Sequence, residues 1–314
     1  MAAGELSPGR RPRLHLRGVP VLTYHGVAAV AARTSNRRAD KYLLAEAIFR
    51  EQLALLAREG FRPALLGELW TRPGSLPDAG SRAILTFDDG LVSQYEVAYP
   101  ALAERGMRAD FFVNTATIGQ PGFLSSREIA EMQAGGMSFQ SHGHDHVVLL
   151  GLSDQSLDRQ LRDSKRRLED RLGTAVDFFA APYGFVSRRI ILAARRAGYR
   201  AVCTSREWLA RPGSPVVSRI AVHSWTTPAD LLGLLRGRPL PYARRLARAA
   251  LVYLPQRALL RLQPARLGVQ VLERPHDDAP AELLLEGLQH HELLAVEHVR
   301  DARVHVHEEA LLAE

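Results

Sequence analysis

A single cysteine, Cys203, is all the thiol chemistry that this 314-residue chain has. No intrachain disulfide can form and no thiolate cluster can hold a metal, so any bound ion must be gripped by imidazole and carboxylate. Inside Arg200-Ala-Val-Cys-Thr204 the cysteine reads as a small hydrophobe of a buried strand. Long apolar runs are missing too. No stretch reaches the ~18 uninterrupted apolar residues of a spanning helix. Met1 to Leu16 carries Arg10, Arg11 and Arg13 but lacks the ~7–15-residue apolar core of a secretion signal. The expectation is a soluble or peripheral protein with the cytoplasm as its default location. Acid is scarce between Arg236 and Arg274, where nine arginines face only Glu273. The whole chain carries +7, so the remainder is close to neutral and the charge speaks for that one segment. Aromatics do not interleave with those arginines, and nucleic-acid binding is not expected.

What is present is the composition of a folded, enzyme-sized body: 46% apolar and 24% charged residues. Val19–His25 reads as a buried strand ending on a polar residue, followed by a polar loop through Asp40. A helix fits Ala45–Glu59, with Ile48, Leu53, Leu55 and Leu56 on a 3.6-residue period and Gly60 as its stop. Strands and helices then alternate. Strands are expected at Ala83–Phe87, Asp110–Asn114, Met137–Ser141, Val176–Ala181, Ala201–Thr204 and Arg219–His223. Helices are expected at Gln94–Arg105, Ser126–Ala134, Asp154–Leu172, Ser187–Ala197 and Ala229–Leu235, with a capping box at Ser125–Glu128. Repeated strand–helix units imply a parallel sheet. Periodicity does not separate a barrel from an open doubly wound sheet, but His25, Asp88, Asp89, His142 and Tyr183 all fall just past strand ends, the rim where barrels build sites. The fold expected is an α/β barrel of about seven strand–helix units over residues 19–236, with an N-terminal tail at 1–18 and an Arg/Leu-rich C-terminal extension at 237–314.

Three segments carry chemistry. Leu85-Thr-Phe-Asp-Asp-Gly90 sets adjacent carboxylates after an apolar strand, where neighbouring side chains diverge. One carboxylate can bind a metal while the other faces the water that the metal activates, although Asp-Asp-Gly also suits an ordinary turn. Ser141-His-Gly-His-Asp-His146 puts three imidazoles within five residues; His142 and His146 can reach one ion, with Asp89 as a third ligand and an open fourth position. His144, between them, should point elsewhere. Ala180-Ala-Pro-Tyr-Gly184 ends a further strand and can present a backbone N–H to an oxyanion, although in isolation Pro-Tyr-Gly reads as an ordinary turn.

In this order and spacing, Thr86–Gly90, Ser141–His146 and Phe179–Gly184 closely resemble the polysaccharide deacetylase (NodB-homology, carbohydrate esterase family four) signature over roughly Val19–Leu235. The resemblance implies a distorted (β/α)7-type barrel and a metal-dependent carbohydrate N-deacetylase in which Asp89, His142 and His146 bind a divalent ion, most simply Zn2+. It makes Asp88 the general base and gives the Tyr183 N–H, after Pro182, to the oxyanion. The family also needs a histidine acid. His223 and His25 are the candidates, and Val-Leu-Thr-Tyr-His-Gly-Val resembles the circularly permuted poly-N-acetylglucosamine deacetylase branch, where a Tyr-His near the N-terminus takes that role; His25 is preferred. Two departures stand out. Ala180 occupies the place where many members have an arginine that orients the base, so Asp88 needs another partner. Ser205-Arg-Glu-Trp208 is a reduced form of the motif that brings a groove tryptophan, which leaves Trp208 as a substrate-binding candidate or a packed aromatic.

The expected substrate is an N-acetylated sugar or glycan. The competing readings are an O-acetyl esterase on a polysaccharide and a non-catalytic glycan-binding module. Residues 242–262 combine arginines with leucines and suit either a peripheral contact with an anionic membrane or an amphipathic stripe packed on the barrel.

Overall fold

The computed structural model describes residues 16, 18–28, 41–71 and 82–247. The tail, the loop through Asp40, the Pro73–Gly80 turn region and the extension beyond 247, which includes most of 242–262, lie outside the described residues. No helix among the described residues is long and apolar enough to cross a membrane.

Eleven strands are described: β1 (Val21–Tyr24), β2 (Gly26–Ala28), β3 (Leu43–Ala45), β4 (Arg62–Ala64), β5 (Arg82–Phe87), β6 (Asp110–Val113), β7 (Ser138–Ser141), β8 (Phe178–Ala180), β9 (Ala201–Cys203), β10 (Val216–Val217) and β11 (Ile220–Ala221). The main sheet runs β10-β9-β8-β7-β6-β5-β1-β11, with β4 paired to β5 off this path, and the pairs along it are parallel. Its two ends, β10 and β11, are successive pieces of one chain pass interrupted only at Ser218–Arg219. That pass leans first on β9, where Thr204 N donates to Val217 O, and then on β1, where Val222 N donates to Thr23 O. The sheet therefore curls into a ring of seven strand positions, closed by a kinked segment instead of a continuous ladder. This curled parallel sheet is the barrel that the strand-end placement of polar residues favoured, distorted as the family resemblance implied.

Period-2 alternation sorts the strands into two cores. Val21, Ile84, Phe112, Phe178, Ala180, Ala201, Cys203 and Val217 fill the interior. Leu22, Tyr24, Leu85, Phe87, Phe111, Val113, Phe139 and Val202 belong to the outer core, which the helices cover. Helix Glu46–Arg58 buries Phe49, Leu53, Leu55 and Leu56, and Ser126–Ala134 opens on the full Ser125–Glu128 capping box. Cys203 is buried, and burial pushes its thiol up to about 12, as expected of an inert strand residue.

Three short features escape the sequence pattern. β2 pairs with β3 as a separate two-stranded sheet, because three-residue strands are too short to show a period. β4 pairs with β5. Helix Leu66–Thr71 then contributes Leu66, Leu69 and Trp70 to the interior core, Trp70 meeting the Phe178 ring edge-on at 5.3 Å. Leu66 N–H donates to Asp110 Oδ2 at 2.9 Å, and Asp110 and Phe178 both begin strands, so this helix stoppers the N-terminal mouth of the barrel.

Asp110 is fully buried, its Oδ1 has no hydrogen-bond partner, and burial raises its carboxyl to about 7. An unfolded Asp titrates near ~3.9, so ionising Asp110 costs stability progressively from that pH up through the folded value and fully above it. Asp110→Asn should match the wild type in thermal midpoint near pH 4 and melt higher at pH 8; a difference that does not change with pH would count against this assignment.

Candidate active site

Seven strand positions deliver their C-terminal ends to one rim. β1 hands over His25, β5 Asp88 and Asp89, β7 His142, β8 the Pro182–Gly184 turn, and β11 leads to His223. Asp88 continues the inward-facing set of β5, with its N–H donating to Tyr24 O. Asp89 then turns at φ 78° and Gly90 at φ 68°. A Cβ on Gly90 would stand 3.0 Å from Val113 Cγ1, so the turn needs glycine for both space and φ. The two carboxylates diverge as expected, Asp88 into the barrel and Asp89 towards the histidine loop.

Asp89 Oδ1 lies 3.4 Å from His142 Nε2 and 3.3 Å from His146 Nε2, and the three ligand atoms all fall within 4.8 Å of one another. His142 Nδ1 is 2.8 Å from Ala180 O. A carbonyl can only accept, so Nδ1 carries a proton, and in the neutral imidazole Nε2 then turns a lone pair towards the carboxylate. Asp89 Oδ1 is buried with no hydrogen-bond partner. Lone pairs converging in this way repel unless a cation lies among them. Donors about 2.0–2.2 Å from a shared tetrahedral ion stand roughly 3.4 Å apart, so the observed spacing fits a divalent ion.

The electrostatics agree. Burial alone would raise the Asp89 carboxyl, but the imidazoles of His142 and His146 facing it and the charge of His25 outweigh burial and hold it well below the usual range. Burial alone would lower His142, but Asp88 and Asp89 outweigh it and raise its pKa. Without a metal the cluster collects protons. Metal binding must displace them.

Among the described residues, the non-glycine positions with positive φ are Asp89 at 78°, His146 at 52° and Tyr183 at 65°. Each such backbone costs about 1–2 kcal/mol for an L-residue. All three strained positions meet at one place, the Tyr183 ring standing edge-on to His146 with centroids 4.7 Å apart. Strain concentrated on a single cluster marks a functional site. Gly184 beside Tyr183 is obligatory, because a Cβ there would sit 2.1 Å from Ser205 Oγ.

Residues 76–202 match the polysaccharide deacetylase family. YxkH of Bacillus subtilis (strain 168), named as a polysaccharide deacetylase, is 32% identical over 117 residues; the match spans 37% of this chain and 42% of that protein. A poly-beta-1,6-N-acetyl-D-glucosamine N-deacetylase of Staphylococcus aureus (strain MSSA476) is 24% identical over 198 residues, 58% of this chain and 67% of that one. In fold, the Streptococcus pyogenes deacetylase PplD, solved with acetate, superposes with a TM-score of 0.64 at 26% identity, covering 70% of this chain and 98% of that chain. Over residues 76–202 the chain is similar to a polysaccharide deacetylase domain.

The barrel pairs its buried carboxylate in a way that no local motif announced. Arg219, in the interruption between β10 and β11, forks onto Asp88 with both nitrogens 2.7 Å from the two carboxylate oxygens. Its Nε–H donates to Thr204 O at 3.3 Å, and its guanidinium lies 5.2 Å above the Phe112 ring. Burial raises the Asp88 carboxyl, but Arg219, His142 and His25 together outweigh it and hold the pKa below the ordinary value. The partner that Ala180 does not supply thus comes from the closing segment. A lone arginine within the apolar run Val216–Val222 was the available signal.

His25 faces this group, with its Nδ1 buried and unpartnered. Burial lowers its pKa, and the charges of Asp89 and Asp88 only partly offset that. Tyr42, brought over by β3, stacks on His25 at 4.4 Å and on His223 at 5.4 Å, and His223 in turn stacks on Trp225 at 4.7 Å. Of the two histidines weighed as the acid, His25 is therefore the inner and His223 the outer. His144 turns away, its Nδ1 2.6 Å from Thr115 Oγ1. Trp208 packs edge-to-face on Tyr242 at 5.5 Å, beside an ion pair of Arg245 with Glu207 at 3.0 Å. Residues 242–247 of the Arg/Leu-rich segment are helical, and Tyr242 and Arg245 turn towards the domain.

Arg219→Met leaves Asp88 buried and unpaired, and should lower the unfolding free energy by about 3–5 kcal/mol. Combining it with Asp88→Asn should recover much of that loss. Urea unfolding of both single variants and the double variant measures the coupling; strictly additive losses would mean that the pair carries none.

Proposed function

We propose that this domain is a metal-dependent hydrolase that removes acetyl groups from N-acetylhexosamine units of a glycan or glycan precursor. The observation that carries the reading is Asp89 Oδ1, buried without a hydrogen bond and faced by two imidazole nitrogens at 3.3 and 3.4 Å. The name of the Staphylococcus aureus relative supports an N-acetylglucosamine polymer as the substrate class, and the acetate in PplD supports acetyl chemistry.

In this reading Asp89, His142 and His146 hold a divalent ion, Zn2+ being the natural choice for two imidazoles and a carboxylate. When bound, the ion would acidify water and polarise a carbonyl. Asp88, kept ionised and aimed by the Arg219 fork, removes a proton from the attacking water. The water oxygen bonds to the acetyl carbon, and the Tyr183 N–H, held by the Pro182–Gly184 turn, donates to the developing oxyanion. His25 passes a proton to the nitrogen as the C–N bond breaks, and acetate and a free amine leave. Trp208 is kept as a groove candidate through the turn at Ser205, which abuts Gly184.

Acetate release from N-acetylglucosamine oligomers tests the scheme. Asp88→Asn and His25→Ala should each reduce kcat by about 10²-fold or more, and a chelator should abolish turnover until Zn2+ is restored. Full activity in the chelated protein and in both variants would refute it.

A further inference from the structure

Two helical segments that back the site each contain a five-residue π turn: Gln94–Ala98, which runs into helix Tyr99–Ala103, and Arg159–Asp163, which joins Asp154–Asp158 to Ser164–Leu172. The first has a covalent cause. Pro100 has no N–H to give Glu96 O, and its ring would crowd that carbonyl in an α-helix; the Tyr99 N–H instead reaches back five residues to Gln94 O. In the second, the Ser164 hydroxyl donates to Gln160 O at 2.5 Å, while Leu161 O accepts from the Ser164 N–H and from Tyr199 Oη at 3.0 Å, covering carbonyls where the α ladder is broken. π turns are rare and concentrate at functional sites.

Each turn carries a buried glutamine, Gln94 at 0% and Gln160 at 5% exposure. The two amides face opposite ways because their partners do. Gln94 meets two carbonyls, and its Nε2 donates to Asp88 O at 2.6 Å and to His25 O at 3.1 Å, tying the end of β5 to the end of β1. Gln160 meets two backbone N–H groups. Its Oε1 accepts from His144 at 2.8 Å and Asp145 at 3.2 Å, and its Nε2 donates to Asp145 Oδ2 at 2.9 Å. Those bonds lie between His142 and His146, where the backbone is strained at His146.

We propose that Gln94 and Gln160 are positioning residues with separate tasks: Gln160 sets the histidine loop for its metal, and Gln94 sets the base and acid relative to each other. The division rests on the roles proposed above for Asp88, His25 and the three ligands. Neither glutamine touches a reacting atom. A Gln94→Glu exchange would aim carboxylate oxygens at two carbonyls, which explains an amide here in place of the commoner helix-forming acid.

The test uses Gln160→Met, Gln160→Glu and Gln94→Met, near-isosteric changes in the full chain, with Zn2+ competed against a chromophoric chelator. Gln160→Met should weaken Zn2+ binding by at least about tenfold and speed amide exchange at residues 143–146 in the metal-free protein, with kcat restored at saturating Zn2+. Gln160→Glu keeps an oxygen that accepts from His144 and Asp145 N–H but sets its other oxygen against Asp145 Oδ2, so it should recover the exchange protection in the Asp145→Asn background and not alone. Gln94→Met should leave Zn2+ affinity within about twofold and lower kcat on N-acetylglucosamine oligomers by about tenfold at unchanged KM. Wild-type exchange and affinity in Gln160→Met would overturn the proposal, as would both Met variants losing metal, kcat and stability together. If the wild type binds no Zn2+, the metal reading fails by itself; altered exchange in Gln160→Met then still supports the loop clamp, and unaltered exchange rejects it.

Discussion

A guanidinium and a carboxylate, both removed from water, meet in the barrel interior, and much of the site is organised around that meeting. Arg219 and Asp88 are 2% and 4% exposed. Charges so placed are tolerable only as a hydrogen-bonded pair. The pair spans the one place where the ring lacks a continuous ladder, since Arg219 stands in the break between β10 and β11 while Asp88 ends β5. Closing the barrel and fixing the carboxylate are therefore one event.

From that carboxylate the rim divides its work. Asp88 turns inward to Arg219, and Asp89 turns outward to the imidazoles because two successive residues, Asp89 and Gly90, take positive φ. The histidine loop meets Asp89 with its own strained residue, His146, and β8 brings a third in Tyr183. Such backbones persist only where surrounding contacts over-determine them. Here these include the Ala180 carbonyl on His142 Nδ1, Asn114 Nδ2 donating to His142 O at 2.6 Å, and the close approach of Gly184 to Ser205. A carboxylate oxygen and two imidazole nitrogens within 4.8 Å of one another complete a place suited to a cation.

The stack His25–Tyr42–His223–Trp225 runs from this centre to a half-exposed indole, Trp225 being 49% exposed. It depends on the small β2–β3 sheet, which carries Tyr42 to the rim, and on Ser224 N–H donating to Lys41 O at 2.9 Å. A sequence separation of 17 residues between His25 and Tyr42 is thereby collapsed into ring contact. The inner position of His25 follows from this packing, with Tyr42 standing between it and His223.

Local chemistry was enough for much of the molecule. Ser125–Glu128 announces its capping box, Gly173 ends the long helix begun at Asp154, and Leu85–Gly90, Ser141–His146 and Ala180–Gly184 each place polar groups after an apolar strand. Alternating units with short connections dictate a parallel sheet, and the polar strand ends select the barrel. Tertiary structure alone decided what those patterns leave open: that Arg219 partners Asp88 from 131 positions away, that Gln94 and Gln160 turn inward at π turns, and that Leu66–Thr71 stoppers the barrel. The reason is physical. A helix or strand period records which face is buried, whereas the partner of a buried charge or amide is set by which distant backbone the closed ring brings within about 3 Å of it.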